Sequence, residues 1–397
     1  MKTDTDSTIE NFKKYVIPNY IRNPVVLTRG KGVYLWDSDG RRYLDLFSGW
    51  AVSNLGHCHP KVVSAIGRQV KLLIHAPNVF YTEAQGALAK LISNNSFGGQ
   101  CFFCNSGTEA NEAAIKLTRI HHSPQERYKI ITMHNSFHGR TMASLSATAQ
   151  PKYHKGFSPM LEGFTFVPFN DLDAVRKAVD DKTCAVMLEP IQGEGGINIA
   201  SQEYLKGLRS LCDELRLLLI LDEVQCGMGR TGKYFAYQHY GITPDIMTLA
   251  KSLGNGTAIG AMVARVDLAG SLVPGSHAST FGGNPLACAA SIAVFETIER
   301  EGLLDNASEM GRYSMERLNA LAEGFPNVIK EVRGVGLMIG IELKKEGASL
   351  VKKCMDKGLL LNCTHENVIR FMPPLNVKKK HIDAGIDILG GVLEEYN

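Results

Sequence analysis

The sequence lacks an apolar run that approaches the ~20 residues a membrane-spanning helix requires. It also lacks an excess of either charge, because 43 Lys and Arg residues face 40 Asp and Glu residues and leave a formal net charge of +3 over 397 residues. The only basic run, Lys378-Lys379-Lys380, is short and is typical of a solvated helix start. We therefore expect neither a membrane nor nucleic acid as a partner.

Export signals and paired cysteines are missing as well. The N-terminal segment mixes acidic and polar side chains, unlike a secretory signal or an Arg-rich transit peptide. Nine cysteines, an odd number, are scattered along the chain, which is typical of reduced thiols and predicts a cytoplasmic protein. Cys101 and Cys104 have no second pair, and His57, Cys58 and His59 have no matching ligands downstream, so we expect no metal site.

The chain is long enough for a large core and more than one domain. Strand-like pieces around the turn Asp37-Ser38-Asp39-Gly40 predict a small N-terminal sheet. From about residue 60, short apolar runs alternate with helix-length amphipathic segments, which predicts an α/β fold with a mainly parallel sheet covered on both faces. The predicted strands of that sheet are residues 101–103, 129–133, 164–167, 185–188, 217–221 and 246–250. The predicted helices include residues 109–119, 172–179, 202–215 and 285–301, followed by a C-terminal α+β part with strands near 336–343 and 368–371.

Several predicted strands end directly on a polar residue. His134, Glu189, Asp222 and Lys251 each follow an apolar run. In open α/β sheets the ligand crevice lies outside the carboxyl ends of the strands. These side chains therefore predict one polar site at that edge.

A turn of small residues, Asn105-Ser106-Gly107-Thr108, precedes a predicted helix with Glu109 in its first turn. A hydroxyl at this position caps the helix, and a cap alone explains the pattern. The free N–H groups of a helix N-terminus also suit a phosphate, and Gly107 would let the backbone approach it. The turn carries no GxGxxG fingerprint, which disfavours dinucleotide binding.

Asp222 and Lys251 each permit two interpretations. Asp222 is either a strand-end aspartate satisfied by its neighbours or the partner of a protonated ring nitrogen, as a pyridoxal cofactor requires. Gln225, three residues further on, could reach the phenolic oxygen of such a ring. Lys251 is either solvated or placed to form an imine with an aldehyde and to carry protons. In the second case a partly desolvated position would lower the pKa of its amine.

Arg140 and Arg370 lie among apolar residues. Structural ion pairs explain many such arginines. Together in one pocket they would suit a dicarboxylate, because the guanidinium group binds carboxylates through two parallel hydrogen bonds. Glu194, which glycines flank on both sides, could neutralise one of them.

The longest motifs resemble those of class III aminotransferases, which have the type I aspartate-aminotransferase fold. The resemblance rests on LDEVQCGMGRTG at residues 221–232 and PDIMTLAKSLGNGTAIGA at residues 244–261, and it runs from about residue 15 to the end. Further motifs are similar to those of acetylornithine aminotransferases: GHCHP (56–60), NSGTEANEAAIK (105–116), FHGRT (137–141), EPIQGEGG (189–196), STFGGNPLACAA (279–290) and NCTHENVIRFMPPL (362–375).

The resemblance implies a domain division and a cofactor. Residues 52–298 would form a large domain with a mainly parallel seven-stranded sheet, and residues 1–51 and 299–397 a smaller α+β domain. The cofactor would be pyridoxal 5′-phosphate, with Lys251 as the Schiff-base lysine and Asp222 as the ring-nitrogen partner. The other implied cofactor contacts are Gly107 and Thr108 at the phosphate, Phe137 stacked on the ring, Gln225 near the phenolic oxygen, and, without an assigned position, Ser106 and His138.

The same resemblance implies the substrate contacts and the assembly. Arg140 and Arg370 would bind substrate carboxylates, and Glu194 would mask Arg370 while an ω-amino substrate is bound. Trp50 would line the substrate entrance, where ornithine aminotransferases carry a tyrosine and acetylornithine enzymes more often a small aliphatic residue. Thr280 would reach the phosphate in the neighbouring subunit, so a homodimer with shared active sites is expected.

The implied reaction transfers the ω-amino group of N²-acetyl-L-ornithine to 2-oxoglutarate, a step of arginine biosynthesis. The alternative donors are succinylornithine, N-succinyl-diaminopimelate, ornithine and 4-aminobutyrate. Two readings from other classes are disfavoured. A nucleotide-binding dehydrogenase would need a GxGxxG motif and a ribose-binding acid, and a cofactor-free scaffold would have no need of Lys251 and Asp222.

Overall fold

The structure, a computed structural model, describes residues 4–395 and contains a seven-stranded sheet, two four-stranded sheets and a two-stranded pair. The strands are β1 Leu27–Lys31, β2 Tyr34–Asp37, β3 Arg42–Asp45, β4 Gln100–Cys104, β5 Lys129–Met133, β6 Phe164–Val167, β7 Thr183–Leu188, β8 Ile191–Gln192, β9 Asn198–Ile199, β10 Leu218–Asp222, β11 Ile246–Leu249, β12 Gly260–Ala264, β13 Ile329–Val335, β14 Met338–Leu343, β15 Leu359–Leu360, β16 Asn362–Thr364 and β17 Val368–Phe371.

Helices surround these sheets. They are α1 Thr5–Tyr15, α2 Ser48–Ala51, α3 Pro60–Gln69, α4 Glu83–Asn95, α5 Gly107–His122, α6 Met142–Ala147, α7 Pro151–His154, α8 Leu172–Ala178, α9 Gln202–Leu215, α10 Val266–Ala269, α11 Pro285–Arg300, α12 Leu303–Gly324, α13 Ala348–Asp356 and α14 Lys379–Glu394.

The seven-stranded sheet has the order β4-β12-β11-β10-β7-β5-β6. Neighbouring strands from β11 to β6 run parallel, whereas β12 is antiparallel to both β11 and β4. The predicted α/β fold with a mainly parallel seven-stranded sheet is therefore confirmed. All six strands predicted from apolar runs lie in this sheet.

Both faces of this sheet are buried, which explains why its strands are almost continuously apolar. Along β10, Ile220 packs into a cluster with residues of α5, including Leu117. Its neighbours Leu219 and Leu221 point to the opposite face and pack into the larger cluster that contains Leu208 of α9. Successive side chains of a strand thus enter different layers of the core.

The helix boundaries follow capping signals in the sequence. Ser201 accepts a hydrogen bond from the Tyr204 N–H at the start of α9, and Asn284 accepts one from the Ala287 N–H at the start of α11. Pro285 occupies the first turn of α11, where its missing N–H costs nothing. Lys378, Lys379 and Lys380 are exposed at the start of α14, as expected for a solvated helix start.

The smaller sheets combine the two ends of the chain. The N-terminal strands β1, β2 and β3 form one sheet with the C-terminal β15, which pairs in parallel with β3. The order of the second four-stranded sheet is β13-β14-β17-β16. This arrangement agrees with an α+β unit built from both ends. The predicted boundaries at residues 51/52 and 298/299 stay predictions, and α11 runs through the second of them.

Two further observations concern membranes and thiols. Within residues 4–395, no helix is long and apolar enough to cross a membrane. All nine cysteines are free thiols, as expected from their odd number and scattered positions. His57 pairs with Asp45 at 2.7 Å and His59 lies 3.5 Å from Glu301.

Candidate active site

A cavity of about 400 Å³ lies at the carboxyl edge of the seven-stranded sheet. Glu189, Asp222 and Lys251, which follow or end β7, β10 and β11, all line it. These strands are neighbours in the sheet and run parallel, so their ends deliver polar side chains to one place. The prediction of a polar site at this edge holds for these residues.

His134 does not belong to the cavity, and its inclusion among the converging strand ends was wrong. The ladder continues past Met133, because the His134 N–H donates to the Val167 carbonyl at 2.8 Å and His134 also bridges to Ala149. Side chains alternate along an extended strand, and His134 is exposed.

Asp222 is 3% exposed and is held by several donors. Its Oδ1 accepts the Val224 N–H at 3.0 Å, and its Oδ2 accepts the Asn111 side-chain N–H at 2.8 Å. His138 Nδ1 lies 2.9 Å from the same Oδ2. Thr248 donates to Asn111 Oδ1 at 2.7 Å and thereby fixes the orientation of the Asn111 amide. The carboxylate is rigidly placed to receive a cationic partner from the cavity.

Lys251 begins a short 3₁₀ helix directly after β11, with a left-handed φ of 48°. A positive φ is uncommon for a non-glycine residue, and strained backbone conformations of this kind cluster at active sites and ligand-binding sites. Burial lowers the pKa of its amine below the ordinary value, although Glu194 and Asp222 oppose the shift. The sequence predicted this direction, and a lowered pKa makes the neutral, nucleophilic amine more available at neutral pH.

The turn before α5 lines the cavity with Ser106, Gly107 and Thr108. Ser106 caps the helix by accepting the Glu109 N–H at 3.3 Å, so the predicted cap is confirmed. The first N–H groups of a 16-residue helix have no partners within the helix and carry its positive dipole end. A Cβ on Gly107 would lie 2.7 Å from Val224 Cγ1, so the backbone can approach this closely only with glycine.

The other predicted cofactor residues, Phe137, His138 and Gln225, also line the cavity. Gln225 is 7% exposed, and its Oε1 is buried without a hydrogen-bond partner among the described residues. A buried acceptor of this kind costs free energy unless a bound group satisfies it. The cavity therefore combines an anion-binding helix end, a buried carboxylate, an amine of lowered pKa and an unpaired amide oxygen. This set fits pyridoxal 5′-phosphate.

Glu189, although predicted as a polar strand end, was not assigned a contact. It is 7% exposed, and its Oε2 has no partner in the part of the chain that the structure describes. Burial raises the pKa of Glu189 well above its ordinary value, and the nearby Asp222 carboxylate adds to the shift. Polar atoms of His138, Glu189 and Asp222 lie within 4.8 Å of one another. The raised pKa favours the protonated form of Glu189.

Arg140 lines the same cavity and stacks on aromatic rings. Its guanidinium lies 4.0 Å from the centre of the Tyr153 ring and 5.4 Å from that of Phe137. Stacking of this type orients the guanidinium plane and leaves its N–H groups available. Its backbone is fixed by an N–H bond to Thr108 Oγ1 at 3.2 Å. The arrangement suits binding of a carboxylate.

Arg370, on β17, does not line the cavity directly but reaches it through Glu194. Arg370 Nη1 donates to Glu194 Oε1 at 2.6 Å, and the Arg370 side chain is only 1% exposed. Burial opposes ionisation of Glu194, but the Arg370 charge outweighs it and lowers the pKa of the carboxyl. The predicted pairing of Glu194 with Arg370 is therefore present. Asn362 contacts the same guanidinium from the other side.

Trp50 and Thr280 lie outside the cavity. Trp50 is 48% exposed, packs edge-on against Phe47 at 5.1 Å, and belongs to the short turn α2, in which Ser48, Trp50 and Ala51 have φ angles of 52°, 61° and 62°. The Phe47 ring in turn lies 5.8 Å from the Arg370 guanidinium. Thr280 is exposed and lines a different cavity of about 770 Å³.

Sequence reasoning missed Asn111, Tyr153 and Asn362. Asn111 lies in the NEAAIK segment one turn after the capping residue, so its position on the cavity side of α5 was the available signal. Asn362 and Arg370 are eight residues apart in the sequence, a spacing that permits cross-strand pairing, and they lie opposite each other on β16 and β17. Nothing in the sequence marked Tyr153.

Comparisons with known proteins agree with this site. The family described as "Aminotransferase class-III" matches residues 15–393. The acetylornithine aminotransferase of Caldanaerobacter subterraneus is 55% identical over 387 residues, which are 96% of this chain and 98% of that protein. The corresponding protein of Methanocaldococcus jannaschii is 52% identical over 98% of both chains.

A solved structure resembles the chain over its whole length. The ornithine aminotransferase of Toxoplasma gondii, which holds PLP at its active site, has a TM-score of 0.94 and 34% identity, over 100% of this chain and 96% of that one. Such a match to both sequence and structure confirms the resemblance found in the motifs. This chain is a member of the class III aminotransferases, the PLP-dependent enzymes with the type I fold.

Proposed function

We propose that the protein transfers the ω-amino group of N²-acetyl-L-ornithine to 2-oxoglutarate, giving N-acetylglutamate 5-semialdehyde and glutamate. The observation that carries the proposal is the buried Arg370–Glu194 ion pair beside the cavity that holds Lys251 and Asp222. A masked arginine suits an enzyme that binds an ω-amino substrate in one half-reaction and a dicarboxylate in the other. The choice of donor is supported by the acetylornithine aminotransferases at 55% and 52% identity.

We propose pyridoxal 5′-phosphate as the cofactor, bound by the residues that line the cavity. When bound, it supplies an electron-withdrawing ring that accepts the electron pair of a cleaved C–H bond and carries the amino group between substrates. Lys251 would hold it through the ε-amine, and the N-terminus of α5 with Ser106, Gly107 and Thr108 would hold its phosphate. Phe137 would lie on the ring, and Gln225 would contact its phenolic oxygen.

Asp222 would stabilise the positive charge on the cofactor ring, and Lys251 would transfer the proton. Asp222, anchored by Asn111 and Val224, would keep the ring nitrogen protonated, because a buried carboxylate stabilises a cation beside it. Lys251 would carry the proton, accepting it as a neutral amine and returning it as an ammonium group. The lowered pKa of Lys251 brings these two states closer in free energy at neutral pH.

Arg140 and Arg370 would distinguish the two substrates by their carboxylates. Arg140, oriented by Tyr153, would bind the carboxylate distant from the reacting carbon in both half-reactions. Arg370 would bind the second carboxylate of 2-oxoglutarate after Glu194 moves away. With the ω-amino donor bound, Glu194 would stay on Arg370, because a buried guanidinium without a partner is costly.

The donor is tested by a panel of ω-amino compounds with 2-oxoglutarate, ranked by kcat/KM. N²-acetyl-L-ornithine is expected to rank first, ahead of succinylornithine, N-succinyl-diaminopimelate, ornithine and 4-aminobutyrate. The panel also measures what the exposed Trp50 does at the entrance, since Trp50→Ala should change the ranking among donors more than the KM for 2-oxoglutarate. A higher kcat/KM for any other donor would replace acetylornithine in this proposal.

We further propose a homodimer with shared active sites. Thr280 lies outside its own chain's catalytic cavity and lines the second cavity together with Val79 and Tyr81, which are 83% and 106% exposed. Phe80 and Phe281, 67% and 60% exposed, extend the apolar surface. Apolar patches of this kind mark protein interfaces, and a second copy would bury them while bringing Thr280 to the neighbouring phosphate.

Mixed dimers test the sharing of sites. Lys251→Ala chains should be inactive and Thr280→Ala chains impaired. If sites are shared, each heterodimer of the two has one site that lacks both groups and one intact site. Adding excess Lys251→Ala chains should therefore raise the activity per Thr280→Ala chain. No gain, or sedimentation of a fully active monomer at assay concentration, would contradict shared sites.

The cytoplasmic location stays a prediction.

A further inference from the structure

The guanidinium of Arg370 has two side-chain partners, and only one of them is charged. Nη1 donates to the Glu194 carboxylate at 2.6 Å. Nε donates to Asn362 Oδ1 at 2.8 Å, and Nη2 donates to the same oxygen. Glu194 therefore balances the charge of Arg370, whereas Asn362 fixes the plane of the guanidinium without adding charge.

The sheet register dictates this neighbour. Asn362 on β16 lies directly opposite Arg370 on β17, so both side chains project from the same face of the sheet. On the other side of β17, Arg370 lies opposite Gly340 of β14, which has no side chain. Of the two residues that lie opposite Arg370 on the neighbouring strands, Asn362 is therefore the one whose side chain can hydrogen-bond to the guanidinium.

Glu194 and Asn362 differ in how firmly they are placed. The Glu194 side chain is 19% exposed at the cavity; Thr364 donates to its backbone carbonyl at 2.8 Å and makes a longer contact of 3.4 Å with its Oε2. The backbone of Glu194 is anchored while its carboxylate can turn toward the cavity. Asn362 belongs to a strand that is paired along its length with β17, so its amide oxygen stays beside Arg370 when Glu194 leaves.

We propose that Asn362 is a positioning residue that determines specificity for dicarboxylates: its neutral oxygen occupies the Nε and Nη2 side of Arg370 and directs a substrate carboxylate to the Nη1 position that Glu194 vacates. The inference rests on the proposed function, in which Glu194 leaves Arg370 during the 2-oxoglutarate half-reaction. A neutral partner is essential, because a second carboxylate at this position would cancel the charge that attracts the substrate.

Two variants separate this role from simple support of the fold. Asn362→Asp keeps the size and the acceptor oxygen but adds a permanent negative charge beside Arg370. Asn362→Ala removes the acceptor and leaves the arginine charged. The probe is glutarate, an unreactive dicarboxylate, titrated by calorimetry into the cofactor-loaded enzyme. We expect Asn362→Asp to weaken glutarate binding roughly tenfold or more, and Asn362→Ala to weaken it less. A structural asparagine predicts the reverse order, since Asp preserves the contact and Ala does not.

The exposed His365, on the turn between β16 and β17, provides the control for charge. His365→Asp adds the same charge nearby, at a left-handed φ of 47° that Asp tolerates, and solvent should screen it so that glutarate binding is unchanged. If Asn362→Ala binds glutarate as weakly as Asn362→Asp or more weakly, the proposal is wrong. If Asn362→Asp loses its melting transition, Asn362→Ala decides alone, and glutarate affinity within about twofold of wild type would contradict the proposal.

The donor half-reaction keeps the two proposals apart. Single-turnover reaction of N²-acetyl-L-ornithine should be affected less than glutarate binding in both Asn362 variants, because the donor presents no carboxylate to Arg370 in that half. If the wild-type protein does not react with acetylornithine, the proposed donor is wrong, while the order of glutarate affinities still tests the role of Asn362.

Discussion

Lys251→Ala is expected to lower turnover roughly a thousandfold or more, since a positioned proton-transfer group alone contributes roughly 10²–10⁴-fold. The variant also loses the amine proposed to hold the cofactor. The fold should survive, because Lys251 is at the end of β11 beside a cavity and not in the apolar core. The measurements are single-turnover rates with N²-acetyl-L-ornithine and with glutamate, together with the thermal melting temperature.

A second readout does not depend on activity. Borohydride treatment of the loaded wild-type enzyme should attach the cofactor covalently to the peptide that contains Lys251, as detected by mass spectrometry, and should attach none in Lys251→Ala. Lys233→Ala serves as the control because Lys233 is exposed on the loop that follows β10. A Lys251→Ala enzyme that turns over at a rate comparable to the control would remove this residue from the mechanism.

The sequence could predict the sheet and one edge of the site because burial on both faces leaves a strong pattern. β7 is apolar after Thr183 and β10 is apolar up to Asp222, so the polar residue that follows or ends each strand was easy to see. β12 was absent from the strands predicted from apolar runs. It begins with Gly260 and Ala261 and runs antiparallel between two parallel strands, an order that only tertiary packing determines.

The contacts that hold the site residues in place were much harder to predict from the sequence. Asn111 and Asp222 are far apart in sequence and meet because α5 packs over the carboxyl ends of β10 and β11. An asparagine on a helix gives no sign that its amide will donate to the buried carboxylate of Asp222. His134 shows the opposite error: its position after an apolar strand matched the others, but one further residue of strand pairing turned its side chain away from the cavity.

Trp50 and Thr280 were assigned from motif resemblance alone, and their roles stay predictions. The left-handed turn from Ser48 to Ala51 places Trp50 on the surface, with Phe47 between it and Arg370. Three non-glycine residues within four positions, Ser48, Trp50 and Ala51, would rarely be predicted in that conformation, which costs roughly 1–2 kcal/mol per residue. Asp45 offsets part of that cost by accepting the N–H groups of Phe47 and Ser48 at 3.0 and 2.9 Å.

Arg370→Ala and Glu194→Ala are expected to damage opposite half-reactions. Arg370→Ala removes the group that binds the second carboxylate of 2-oxoglutarate. Loss of one partner from a buried charge pair costs about 2–5 kcal/mol. At about 1.4 kcal/mol for each factor of ten, that half-reaction should slow roughly 30-fold or more. The half-reaction with N²-acetyl-L-ornithine should be nearly unchanged, because Glu194 masks Arg370 while that donor is bound.

Glu194→Ala leaves Arg370 charged, 1% exposed and held by Asn362 alone. The permanently available arginine should attract α-carboxylates, so activity toward glutamate-like α-amino donors should rise while the acetylornithine half-reaction slows. Single-turnover absorbance spectra can follow each half separately. Arg176→Ala is the control, since it breaks a surface Arg–Glu pair at 3.1 Å whose side chains are 51% and 56% exposed, and exposed pairs contribute little. Equal losses in both half-reactions for both variants would mean that Glu194 does not switch and that Arg370 supports the fold, because a residue that acts only by packing cannot distinguish a carboxylate from its absence.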